Sequence, residues 1–131
     1  RTESFVRPFP ISYFKLMKDH AENSFRQRGF SDEESEKLGD QAFIYWIIFT
    51  LVLRSLSIAK GKMNLEEGIK YRKKLIDDLT TNSDISKSIR NYSPSREESR
   101  WIPRALAWRS SKLLKFMLDR RVKEILRREV S

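Results

Sequence analysis

Residues 41–53, QAFIYWIIFTLVL, form an uncharged run that constrains this chain more than any other feature. A membrane-crossing helix needs roughly 20 apolar residues, so this run of 13 is too short and reads as a buried core helix. Being apolar on most faces, it is expected at the centre of the fold, with the other helices packed around it. The 131 residues leave room for one domain with one core, spanning 1–131. Hydrophobic content of 39%, with 11% aromatic, argues against disorder.

Local signals divide the rest into helices. Residues 1–10 read as an extended lead-in, because Pro8 and Pro10 resist helix on either side of Phe9. Ser12 is a candidate cap for a first helix to about residue 28, with Phe14, Met17, Ala21 and Phe25 at spacings of three and four. Gly29 ends it, and Ser31 with Glu34 forms a capping box for the central helix. Asp32, Glu33, Glu34 and Glu36 suit the positive end of that helix, and Gly61 supplies its left-handed stop.

Asn64 repeats the start signal for a third helix to about residue 79, whose expected buried positions are Leu65, Ile69, Leu75, Ile76 and Leu79. A short helix is expected over 84–91, with Ile85 and Ile89 four residues apart. Ser93-Pro94 opens the last region, Pro103 kinks that helix or starts another, and 104–128 is helical throughout. No strand alternation or repeat is present. The fold class is all-α: a single compact bundle of five or six helices around one hydrophobic central helix.

Most catalytic classes find no support in these residues. There is no Cys, which removes thiolate chemistry and cysteine metal sites and fits a reducing compartment. The one histidine, His20, sits mid-helix beside Asp19 with no orienting partner in sight, and reads as a surface or half-buried residue. The acids at 32–36 are explained by capping, and the four glycines are too scattered for a phosphate-cradling loop. No cofactor or metal is implied, and no catalytic constellation appears.

The net charge is +9, and it is unevenly placed. Ten basic residues against Asp119 and Glu124 leave +8 between residues 100 and 128. At 100° per residue, Arg109, Lys112, Lys115, Arg120, Lys123 and Arg127 share one broad sector. Leu106, Leu113, Leu114, Met117, Leu118 and Ile125 fall largely opposite, with Phe116 at the rim. Three readings follow: a core-packed helix with a charged outer face, contact with an anionic membrane or lipid headgroup, and nucleic-acid binding. For the last, Trp101, Trp108 and Tyr92 are candidate stacking residues, although aromatics at helical spacing suit a core.

The layout resembles the C-terminal helical extension of bacterial family 2 glycosyltransferases, the inverting enzymes of cell-surface polysaccharide synthesis. The resemblance rests on Arg1-Thr2-Glu3-Ser4 followed by Phe5-Val6-Arg7, with Glu3 where the family usually carries Gly. It continues through Leu53-Arg54-Ser55-Leu56, the stretch at 62–75, and the basic leucine-rich helix around Leu113-Leu114-Lys115-Phe116-Met117-Leu118. It implies that the chain is a piece of a longer protein, an accessory domain serving in packing, oligomerisation or membrane and acceptor contact. The implied partners are its own catalytic domain, an anionic membrane surface or lipid-linked acceptor, and a second copy. The implied place is cytoplasmic, peripheral at the inner face of the membrane. A small basic nucleic-acid-binding module is the alternative.

Overall fold

A computed structural model describes residues 9–62, 64–96 and 98–130; the junction at 1–7 and Met63 lie outside the described residues. Among the described residues six helices follow one another: α1 (Ile11–Gln27), α2 (Asp32–Ala59), α3 (Leu65–Thr81), α4 (Ser83–Ser88), α5 (Trp101–Ala107) and α6 (Ser111–Val130). A 3-10 turn over Ile89–Asn91 follows α4, and no strand occurs among the described residues. The all-α bundle expected from the sequence is what forms.

Boundaries follow capping chemistry. The α1 chain reverses where Gly29 adopts φ 98°, a conformation costly for other residues, and Phe30 N–H closes on the Phe25 carbonyl at 3.1 Å. The rings of Phe25 and Phe30 meet edge to face at 5.5 Å and hold that reversal. Ser31 then starts α2 with its capping box: its Oγ accepts from Glu34 N–H at 3.1 Å, and Glu34 Oε1 accepts from Ser31 N–H at 3.4 Å. Asn64 caps α3 and Asn82 caps α4 through their side-chain oxygens.

The core forms where one edge of α2 meets α3 to α6. Phe43, Ile44, Ile47 and Leu51 pack with Leu79, Ile85, Ile102, Leu106, Leu114 and Leu118. Each such side chain contributes about 1.5–3 kcal/mol by leaving water. The α1 helix runs along α2, the most extensive helix pairing in the fold. Its close approach needs Gly39: a Cβ there would lie 2.5 Å from Glu22 Cγ.

A buried polar clasp ties α1 and α4 to α2. Asp40 accepts from Ser88 Oγ at 2.8 Å and from Asn91 Nδ2 at 2.7 Å, with Lys18 Nζ at 3.3 Å. These partners satisfy a carboxylate that would otherwise be expensive to bury.

Several expectations need correction. Ser12 does not cap α1; Pro10 precedes the helix and its carbonyl accepts from Phe14 N–H at 3.1 Å. Leu65 and Ile69 are exposed, because α3 buries its C-terminal half and begins clear of the core. Ser93-Pro94 starts no helix; among the described residues the next helix begins after Ser99, whose Oγ accepts from Trp101 and Ile102 N–H, and Pro103 falls in the first turn of α5.

The expected continuous helix over 104–128 is two. Arg109 takes φ 54°, Ser110 N–H closes on the Ala105 carbonyl at 3.0 Å, and α6 restarts from a Ser110 cap. Trp101 and Trp108 are exposed, packed against each other at 6.4 Å and outside the core.

The α2 helix is central, as expected, but it is not buried all round. Among the described residues it is the one helix long and apolar enough to cross a membrane by length and composition. Only 33% of its most apolar stretch is buried, so a large part of that surface is open.

Candidate functional site

The open part of α2 has a defined composition. At 3.6 residues per turn, Leu38, Ala42, Tyr45, Trp46, Phe49, Val52, Leu53 and Leu56 fall in a sector about 120° wide and about 27 Å long. No charged residue occupies that sector. Leu38, Tyr45, Trp46, Phe49 and Leu53 are between 37% and 45% exposed. The three aromatic rings touch one another: Tyr45 stacks on Phe49 at 6.0 Å, and Trp46 meets both edge-on at 5.6 and 5.8 Å. An apolar face this continuous marks a contact surface, because isolated domains seldom leave one in water.

Beside the aromatic face lies an open cleft of about 690 Å³, between the segment before α5 and one edge of α6. Arg96 and Arg100 line it from the segment; Arg120, Arg121 and Arg128 line it from the helix, at spacings that share one edge. Glu98, Glu124, Ser99, Trp101 and Met117 complete the walls. A smaller cavity of about 280 Å³ connects this cleft to the aromatic face. Its lining includes Tyr45 and Phe49 on one side and Glu98, Ser99 and Arg121 on the other. Apolar face and arginine cleft therefore form one surface.

Glu98 holds the boundary between the two cavities. Its carboxylate accepts from the Tyr92 hydroxyl and, at 2.7 Å, from Ser95 N–H. Partial burial pushes the Glu98 carboxyl up, but these hydrogen bonds and the Arg121 charge outweigh it and hold the group below its ordinary value. Burial, then the Glu98 carboxylate, push the Tyr92 hydroxyl well above its ordinary value. The Glu124 carboxylate approaches Arg121 at 3.9 Å. Among the described residues, Arg96, Arg100, Arg120 and Arg128 make no ion pair.

The six basic residues singled out from the sequence do not converge. Arg109 sits in the turn before α6, its Nε donating to Ser86 Oγ at 3.1 Å. Lys112 and Lys115 line a small groove against α3, where Lys115 pairs with Asp119 at 3.1 Å. Lys123 and Arg127 flank a shallow surface near Val130, and Arg120 alone belongs to the arginine cleft. Phe116, placed at the rim by helical arithmetic, is 61% exposed within the basic sector.

Arg100, Arg121 and Arg128 counted toward the basic stretch but not toward its contact sector, and Arg96 was not singled out. Arg121 and Arg128 lie on a second arginine edge of α6, which meets Arg96 and Arg100 only once the preceding segment folds against it. His20 is exposed on α1, and among the described residues no group of three acidic or histidine side chains is placed to hold a metal.

No protein-family model, no curated protein and no solved structure matches this chain.

Proposed function

We propose that this domain is an accessory docking module that holds its parent protein against an anionic membrane surface. The observation that carries the proposal is the continuity of the aromatic face of α2 with the arginine cleft. The aromatic face enters the headgroup boundary, where Trp and Tyr rings are favoured. The arginines of the cleft meet lipid phosphate.

Magnitudes favour using both parts together. Each basic side chain near an anionic leaflet contributes about 1 kcal/mol, so the four arginines without ion pairs supply about 4. That alone is about millimolar binding. Burying about half of the exposed portions of Tyr45, Trp46, Phe49 and Leu53 adds a comparable amount at about 25 cal/mol per Å², which brings the total near micromolar. Stable peripheral attachment needs two such signals.

On this reading the parent is a glycosyltransferase of the family that the layout resembles, acting at the cytoplasmic face. The module then brings that enzyme to a lipid-borne acceptor. The nucleic-acid alternative has less support, because a single strand stacks on successive aromatic platforms. Trp101 is the one aromatic lining the arginine cleft, and Arg104 already sits over its ring at 4.8 Å.

Co-sedimentation with vesicles tests the reading. Binding is expected on phosphatidylcholine vesicles that carry phosphatidylglycerol, weakening as salt rises. Paired substitution of Trp46 and Phe49 by Ala should reduce it at every salt concentration. Equal binding to neutral vesicles without salt dependence, or no binding at all, overturns the proposal; a dimer that dissociates when Trp46 and Phe49 are replaced gives the face to a second copy instead.

A further inference from the structure

We infer that the arginine cleft is a built binding site for a phosphomonoester or diphosphate group, in preference to the singly charged phosphodiester of an ordinary phospholipid. This rests on reading the cleft as the polar half of the docking surface. It adds a ligand class to that reading.

Charge balance is the first ground. Five guanidinium groups and two carboxylates line the cleft, which leaves three positive charges facing one open volume. The two carboxylates are already counted in that balance, and neither pairs with Arg96, Arg100, Arg120 or Arg128. Glu98 spends both oxygens on Tyr92 and Ser95, and Glu124 reaches only Arg121, at 3.9 Å. Four arginines are left without an ion pair among the described residues, although like charges gathered in one cleft repel. A ligand with one negative charge leaves most of that repulsion in place; a phosphomonoester or diphosphate, with two to three charges near neutral pH, removes it.

Geometry is the second ground. Guanidinium groups bind phosphate oxygens in pairs, and here they approach from two sides. Arg96 and Arg100 come from the segment before α5, while Arg120 and Arg128 come from α6. The Tyr92–Glu98 hydrogen bond braces the segment that carries the first of those walls. The volume of about 690 Å³ lies within the range of ordinary ligand sites, and Ser99 adds a hydroxyl to its wall.

The same chemistry can arrive on a soluble metabolite or on a lipid, and the test separates them. Inorganic pyrophosphate, orthophosphate and the singly charged diester dimethyl phosphate are titrated against the whole chain, followed by calorimetry and by amide chemical shifts. Pyrophosphate is expected to bind at least tenfold more tightly than dimethyl phosphate. Arg100→Gln with Arg128→Gln should remove that preference, whereas Lys112→Gln with Lys123→Gln should leave it. Circular dichroism checks that each variant keeps its helices.

A second arm compares vesicles of phosphatidic acid with vesicles of phosphatidylglycerol at equal surface charge. Preference for phosphatidic acid, lost in the arginine variant, assigns the lipid source. Pyrophosphate binding with no such preference assigns a soluble ligand. Pyrophosphate that binds no better than dimethyl phosphate, or equally in the arginine variant, overturns the inference, even if binding to phosphatidylglycerol vesicles persists and keeps the docking reading.

Discussion

The Tyr92 hydroxyl donates a hydrogen bond to the carboxylate of Glu98 six residues later, closing the segment before α5 into a braced loop. That brace holds Glu98, which lines both the cavity at the aromatic face and the arginine cleft. Tyr92→Phe removes the donor and leaves a partly buried carboxylate short of one partner. The expected loss is about 1–2 kcal/mol in urea unfolding, with helix content unchanged. A variant as stable as the parent would show that the brace contributes nothing.

Gly39 and Glu22 form a second coupled pair, and the sign of a substitution at one depends on the other. Gly39→Ala gains about 1 kcal/mol of helix propensity but forces a Cβ to 2.5 Å from Glu22 Cγ. Overpacking of that kind costs about 1–3 kcal/mol, so the single variant should be destabilised or neutral. In a Glu22→Ala background the same change should stabilise by about 1 kcal/mol. Equal effects in both backgrounds, measured by a double-mutant cycle, would contradict the close approach of α1 and α2.

Acid stability should depend on Glu98 and Asp119. Partial burial raises both carboxyls, but for Asp119 the hydrogen bonds and charges of Arg72 and Lys115 prevail, as Tyr92 and Ser95 do for Glu98. Both are therefore held below their ordinary values of 4.5 and 3.8. Their contribution is complete above those ordinary values and is lost as pH falls through the lowered ones. Lys18 and Tyr92 are shifted the other way, above 10.5 and 10.0. Their contribution is complete below those values and is lost as pH rises past them. The unfolding midpoint should be flat near neutrality and fall at both ends. Asp119→Asn with Glu98→Gln should flatten the acid limb.

Elements were legible where their cause is local. Ser31 with Glu34, the glycine stops at 29 and 61, and the Asn64 cap lie within a few residues of the bonds they form, so sequence spacing suffices. The break at Arg109 was not legible, because a left-handed arginine there is set by tertiary packing rather than by a glycine. Burial was legible for Leu79, Ile85 and Leu114, which point into the core. It was misjudged for Trp101, Trp108, Leu65 and Ile69, whose helices leave those faces open. The concentration of charge was plain from the chain; its division between an α3-facing edge and a cleft-facing edge needed the fold. The aromatic face of α2 was hidden by its own apolar surroundings, since a helix apolar all round gives no hint of which side lacks a neighbour.

Trp46 reports most directly on whether that side meets lipid. Replacing Trp101 and Trp108 with Phe leaves Trp46 as the sole indole of the three, and its emission can be followed as anionic vesicles are added. The account predicts a blue shift, protection from aqueous acrylamide, and quenching by brominated acyl chains. A chain that sediments with the vesicles while Trp46 stays open to acrylamide and untouched by the brominated lipid would contradict it.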